Sequence, residues 1–137
     1  PIIRYADVLL SLAEAVNEQG RWQEAVSYVN RVRNRAGVAL LNAPGNTNTK
    51  VSGVEEMRVR IRNEKKWELA CEEQLYFEEL RWGTWKTDKF VAKNGLQNVW
   101  GAPVYTYIWG GDAYLKWAIP QSEVEKNTNI KQNEGWN

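Results

Sequence analysis

NEKKWELACEEQLYFEELRWG, residues 63–83, decides how this chain is read. It continues an amphipathic helix that begins near Ser52. At 100° per residue the face carrying Val54, Met57 and Ile61 goes on through Glu64, Glu68 and Glu72 before apolar character returns at Leu75. Carboxylates thus stand where core residues are expected. Glutamates four apart repel each other by about 0.2–0.5 kcal/mol per pair, and burying them unpaired costs far more. Cations must therefore come from elsewhere in the fold. In the preceding helical segment Trp22, Ala25, Val29 and Ala36 form the apolar stripe, and Arg33 falls inside it. Arg33 is expected to face the Glu64/Glu68 row.

Paired carboxylates also serve as acid and base in glycosidases. Glutamates strung along one helix beside arginines are held ionised, whereas a general acid needs a raised pKa. The row therefore reads as a buried ion-pair network that registers two helices.

Working outward, residues 2–18 place Ile3, Ala6, Leu10, Ala13 and Asn17 on one helical face, and Gly20 stops that helix. The second helix ends at Gly37. Together they form a helix hairpin over 2–36 whose small alanines permit close approach, similar to a tetratricopeptide unit. Such a unit needs neighbours on both faces, which chain upstream of Pro1 is expected to supply. Residues 38–51 read as an exposed connection. Ser52 and Glu55 have the spacing of a capping box, which starts a long third helix over 53–81. Arg58 on its flank is within reach of the core face. Thr84 to Phe90 suggests a short helix inside a loop-rich, aromatic segment over 84–114. A closing segment over 115–137 carries a strand-like run from Leu115 to Ile119, then a helical turn after Pro120 capped by Ser122.

A chain of 137 residues has the size of one domain. Eighteen Lys and Arg against seventeen Asp and Glu leave a net charge of +1, so no overall field draws it to nucleic acid or an anionic membrane. No apolar run is long enough to span a bilayer, no charged-then-apolar pattern marks a signal peptide, and any leader or lipid anchor is expected upstream of Pro1. Starting at Pro1, the chain reads as a fragment. Histidine is absent, which removes Ser/His and Cys/His nucleophiles and most zinc sites. No cofactor, metal or catalytic residue is expected. Cys71, the only cysteine, is expected to be buried and inert beside Glu72.

The blocks RYADVLLSLAEAVNEQG (4–20), EAVSYVNRVRNRAG (24–37), RNEKKWELACEEQLYFEELRWG (62–83), KWAIPQSEVEKN (116–127) and KQNEGW (131–136) occur in an order that resembles the C-terminal portion of the SusD/RagB family. Arg33, Arg35, Ala36 and Gly37 match its arginine-x-arginine-alanine-glycine motif. Glu64 and Glu68 match its two glutamates, and Arg81, Trp82 and Gly83 its arginine-tryptophan-glycine. Ile119, Pro120, Gln132, Asn133, Gly135 and Trp136 match the closing motifs. Lys65, Glu73, Leu75 and Glu78 depart from it, standing for arginine, glycine, arginine and aspartate.

The resemblance implies an all-α fold: a tetratricopeptide-like helix hairpin, a long third helix and a loop-rich aromatic segment, part of a larger SusD-like fold. It implies a non-catalytic, nutrient-binding lipoprotein of the Bacteroidetes outer membrane. Such a protein sits at the cell surface, joined to the membrane only by a lipid anchor upstream. It caps a SusC-like TonB-dependent transporter and passes glycans, or in some members peptides, to it.

Glycan sites pair aromatic platforms, which meet the apolar C–H face of a sugar, with polar side chains at the hydroxyl rim. Most of the eight tryptophans lie beyond residue 80. Trp100, Tyr105, Tyr107 and Trp109 are the candidate platforms, with Asn98, Gln97 and Asp112 as polar partners. Trp82, Trp117 and Trp136 lie inside scaffold blocks and are assigned to packing. Two other functions compete: a helical-repeat module that binds a protein partner on the hairpin, and a glycosidase built on the glutamates.

Overall fold

The computed structural model describes residues 3–87, 96–97, 103–105 and 110–136. These form two compact units, Pro1–Leu75 and Tyr76–Asn137.

In the first unit, α1 (Tyr5–Glu18) and α2 (Trp22–Ala36) form the expected hairpin, and α3 (Val54–Glu68) packs on both. Leu10, Ala13, Val16, Ala25, Val29, Val32, Met57 and Ile61 make the core. Ile3 and Ala36 drop out of the predicted stripes. Ile3 precedes α1 and is exposed, while the last turn of α2 turns Ala36 to solvent and buries Val32 in its place. Asn17 is fully buried and donates to the carbonyl of Val54 at 3.1 Å, tying the end of α1 to the start of α3.

At the end of α2, Gly37 takes φ +70, and the amides of Gly37 and Val38 reach the carbonyls of Asn34 and Arg33. This Schellman closure needs a left-handed residue, which explains the glycine of the arginine-x-arginine-alanine-glycine block. The 38–51 connection is more ordered than expected. Asn30 clamps Leu41 by both its amide nitrogen and its amide oxygen, and Asn42 Oδ1 accepts from the Val51 amide at 2.8 Å. Leu41, Thr49 and Val51 are buried. The glutamate reaching back at the start of α3 is Glu56, not Glu55: it accepts from both the amide and the hydroxyl of Ser52. Glu55 turns instead to Arg58, which also binds Glu18 and lies on the solvated flank.

The long helix expected over 53–81 is two helices, α3 and α4 (Gln74–Arg81). In a continuous helix the Glu68 carbonyl would accept from the Glu72 amide. Here Arg4 Nη2 takes that carbonyl at 2.7 Å, and the Glu72 amide bonds to Leu69 instead. The Glu72 carboxylate is drawn to the same guanidinium. Cys71 follows in the turn at φ +64 and is exposed rather than buried. A left-handed cysteine costs about 1–2 kcal/mol that glycine avoids. Cys71→Gly is therefore expected to raise the stability of the first unit by about 1 kcal/mol, read as a higher urea midpoint; a lower midpoint would show that the thiol contributes packing.

The second unit holds α4, a helical turn beginning at Trp85, and an antiparallel ribbon of β1 (Leu96–Gln97) and β2 (Pro103–Tyr105). A 3-10 turn over Asp112–Leu115 and α5 (Gln121–Lys126) follow. The ribbon was not anticipated, yet the fold remains helical in class. The predicted strand at 115–119 has no partner strand among the described residues. Leu115 closes the 3-10 turn, and the backbone of Ile119 is matched by the Gln132 side chain, whose oxygen accepts from its amide and whose nitrogen donates to its carbonyl, both at 2.8 Å. α5 starts at Pro120 with no side-chain cap, so Ser122 does not cap it.

Candidate functional site

The glutamate row is satisfied by arginines. Arg33 Nη1 donates to Glu64 Oε2 at 2.5 Å, as the stripe predicted. Glu68 is bridged by two guanidiniums, Arg4 on Oε1 at 2.8 Å and Arg35 on Oε2 at 2.5 Å. Glu72 belongs to Arg4 at 2.7 Å. Arg4 and Arg35 were missed because their partners lie more than thirty residues away and neither sits in an apolar stripe. Lys65 was missed too: it is fully buried and reaches Ser11 and Glu14.

Burial pushes the Glu64 carboxyl up, against the lowering pull of Arg33, so at this residue desolvation outweighs the pairing expected to hold it ionised. Even so, each glutamate of the row meets an arginine rather than a second carboxylate across a cleft. The row registers α1 and α2 on α3.

An open groove of 430 Å³ lies in the second unit, lined by Tyr76, Lys116, Trp117, Ala118 and Trp136. One of its rings is fixed by hydrogen bonds in the closing block. Trp136 Nε1 donates to the carbonyls of Lys116 (2.8 Å) and Ala113 (3.1 Å), which orients the indole plane. Asn133 Nδ2 donates to the Trp117 carbonyl at 2.6 Å. Gly135 stands at φ +86, and a β-carbon there would come within 2.5 Å of Ala113 Cβ. Tyr76 is set edge-on against Trp85, centroids 4.8 Å apart at 90°. Trp117 is 77% exposed. An exposed tryptophan ring of this kind offers a large apolar face.

Lys116 also lines an adjoining groove of 360 Å³ with Leu80, Lys86 and Asp112. Lys86 Nζ donates to Asp112 Oδ1 at 2.8 Å, so an ion pair stands at the rim with both partners part-exposed. Aromatic faces at one end and charged hydrogen-bonding groups at the other make a surface suited to a polyhydroxylated ligand.

Of the sequence candidates, Asp112 lies in this second groove. Tyr105 sits on β2 by its backbone. Trp100, Tyr107, Trp109 and Asn98 lie outside the described residues. Trp117, assigned to packing, is instead exposed at the first groove, while Trp136 both borders that groove and holds the closing segment as assigned.

The chain matches the family model described as the SusD family over residues 1–136. It belongs to the SusD family. The starch-binding protein SusD of Bacteroides thetaiotaomicron is 31% identical over 99% of this chain, which spans 21% of that protein. SusD-like protein P2 of Formosa agariphila is 33% identical over 96% of the chain and 24% of its own length. A SusD-like protein of Bacteroides fragilis superposes with a TM-score of 0.76 at 28% identity, over 98% of this chain and 25% of that one. The chain thus spans about a fifth to a quarter of its relatives. The SusD blocks now have physical roles: Arg33 and Arg35 anchor Glu64 and Glu68, Gly37 closes α2, and Gln132, Asn133, Gly135 and Trp136 bind the tail to residues 113–119.

Proposed function

We propose that this chain is part of a non-catalytic, cell-surface protein that binds a polysaccharide or oligosaccharide and passes it to a SusC-like TonB-dependent outer-membrane transporter. The observation that carries the reading is the groove of Tyr76, Trp117 and Trp136, in which backbone hydrogen bonds orient the Trp136 indole and Lys116 leads on to the groove of Asp112. Support comes from the family and from a relative named for starch binding. Lipid anchorage in the outer membrane belongs to the same proposal, as does a contribution of Trp100, Tyr105, Tyr107, Trp109 and Asn98 to the glycan surface.

The test is intrinsic tryptophan fluorescence of the full-length protein titrated with plant, host and microbial polysaccharides. One polysaccharide is expected to give a saturable shift. Trp117→Ala should weaken its binding by about tenfold, the value of one aromatic contact. A saturable shift unchanged in Trp117→Ala would remove this groove from the site, and no shift with any polysaccharide would remove the glycan.

A second reading has one observation in its favour. Tyr5, Val8 and Leu12 leave an exposed apolar line along α1 at helical spacing, as a repeat module that binds protein would.

A further inference from the structure

In the first unit a groove of 350 Å³ runs between α1 and α2. Its floor is apolar, from Ala6, Leu9 and Val32, and its walls carry Arg4, Arg31 and Arg35, with Tyr5 beside them. Three arginines thus border one apolar floor.

Two carboxylates do reach these arginines, but not evenly. Arg4 spends its Nε, Nη1 and Nη2 on Glu68 and Glu72, and Arg35 gives Nη2 to Glu68. Arg31 forms no ion pair with any described residue. It lies on Tyr5 instead, its guanidinium carbon 5.5 Å from the ring centroid and its Nη2 donating to the Tyr5 hydroxyl at 3.0 Å. Arg31 and Arg35 stand four apart on α2, a spacing at which like charges face each other and repel.

We infer that the Arg4/Tyr5/Arg31/Arg35 groove is an oxyanion site, taking a carboxylate or sulfate group carried on a small body such as an acidic sugar. Three guanidiniums face two glutamates, and the exposed Arg31 keeps its charge open to a ligand. Arg31 and Arg35 supply the open N–H groups, and their planar forks match two oxygens of one carboxylate or sulfate. Tyr5 holds Arg31 in place before a ligand arrives, which lowers the ordering cost of binding. Arg4 is largely committed to Glu68 and Glu72 and contributes mainly its charge. Leu9 and Val32 give the ligand's carbon skeleton an apolar bed.

This site is separate from the aromatic groove and does not depend on the glycan reading. Its test is calorimetric titration of the full-length protein with sodium glucuronate, sodium sulfate and glucose at low ionic strength. Glucuronate and sulfate are expected to bind saturably and more weakly as sodium chloride is added, and glucose not at all. Arg31→Ala, an exposed position whose loss leaves the fold intact, should weaken both anions by about tenfold, the loss of one charge-assisted partner. Arg31→Lys should recover only part of that, since it keeps the charge and loses the fork. Neutral polysaccharide binding should be the same in Arg31→Ala as in the wild type. Equal anion binding by wild type and Arg31→Ala, equal binding of glucose and glucuronate, or no saturable binding of either anion would each overturn the inference.

Discussion

Arg33→Ala is expected to cost the first unit about 3–5 kcal/mol at pH 7, the penalty for leaving one partner of a buried pair alone. The guanidinium and the Glu64 carboxylate are 13% and 8% exposed, so water cannot take over the lost role. Arg33 Nε also holds the carbonyl of Ala39 at 2.7 Å, a loss that does not vary with pH. The Glu64 part does vary. Burial already pushes its carboxyl up and Arg33 is the main influence pulling it down. Without Arg33 the folded-state pKa rises further above the unfolded one.

A carboxyl shifted in that direction destabilises the fold fully above its folded pKa. The penalty shrinks as pH falls toward the unfolded value, because the folded state then takes up the proton first. Urea unfolding at pH 7 and pH 5 should therefore show a smaller gap between wild type and variant at pH 5. An equal gap at both would mean that Glu64 remains charged without its partner. Glu18 has the opposite sign: Arg58 holds its carboxyl below the usual range, so its stabilisation is present above the unfolded pKa and is lost as pH falls through the folded value.

Gly135→Ala is expected to destabilise the closing segment of the second unit by about 3 kcal/mol, from about 1–2 for a left-handed alanine and a similar cost for overpacking. The φ of +86 and the 2.5 Å approach to Ala113 Cβ leave no room for relief, since Ala113 is itself held by the Trp136 indole. Gly45→Ala is the control: its φ is +76, but nothing lies within 4 Å of the added carbon, so only the backbone cost of about 1–2 kcal/mol applies. Denaturant unfolding followed by tryptophan emission separates the two. Equal losses in both variants would show that the contact with Ala113 relaxes away.

The hairpin was legible because α1 and α2 repeat apolar residues at helical spacing and end at glycines. Arg33 was legible because a charge inside an apolar stripe has to be answered by something. The break between α3 and α4 was not legible. Residues 63–83 keep helical periodicity throughout, and what interrupts them is Arg4, more than sixty residues away, capping the Glu68 carbonyl. Nor was the exposure of Trp117 legible, since a tryptophan inside a motif block looks the same whether the motif packs the ring or presents it. Asp112 was found from its composition-rich neighbourhood, but its pairing with Lys86 depends on a fold-back of twenty-six residues.

By itself the sequence determined what local periodicity and short-range stereochemistry carry: the helical class, the α1–α2 hairpin, the left-handed closure at Gly37 and the need for cations opposite the glutamates. The tertiary structure alone decided which arginine meets which glutamate, where the third helix ends and which tryptophans face solvent. Those outcomes depend on groups far apart in the chain competing for the same carbonyl, carboxylate or surface, and periodicity within one segment carries no record of that competition.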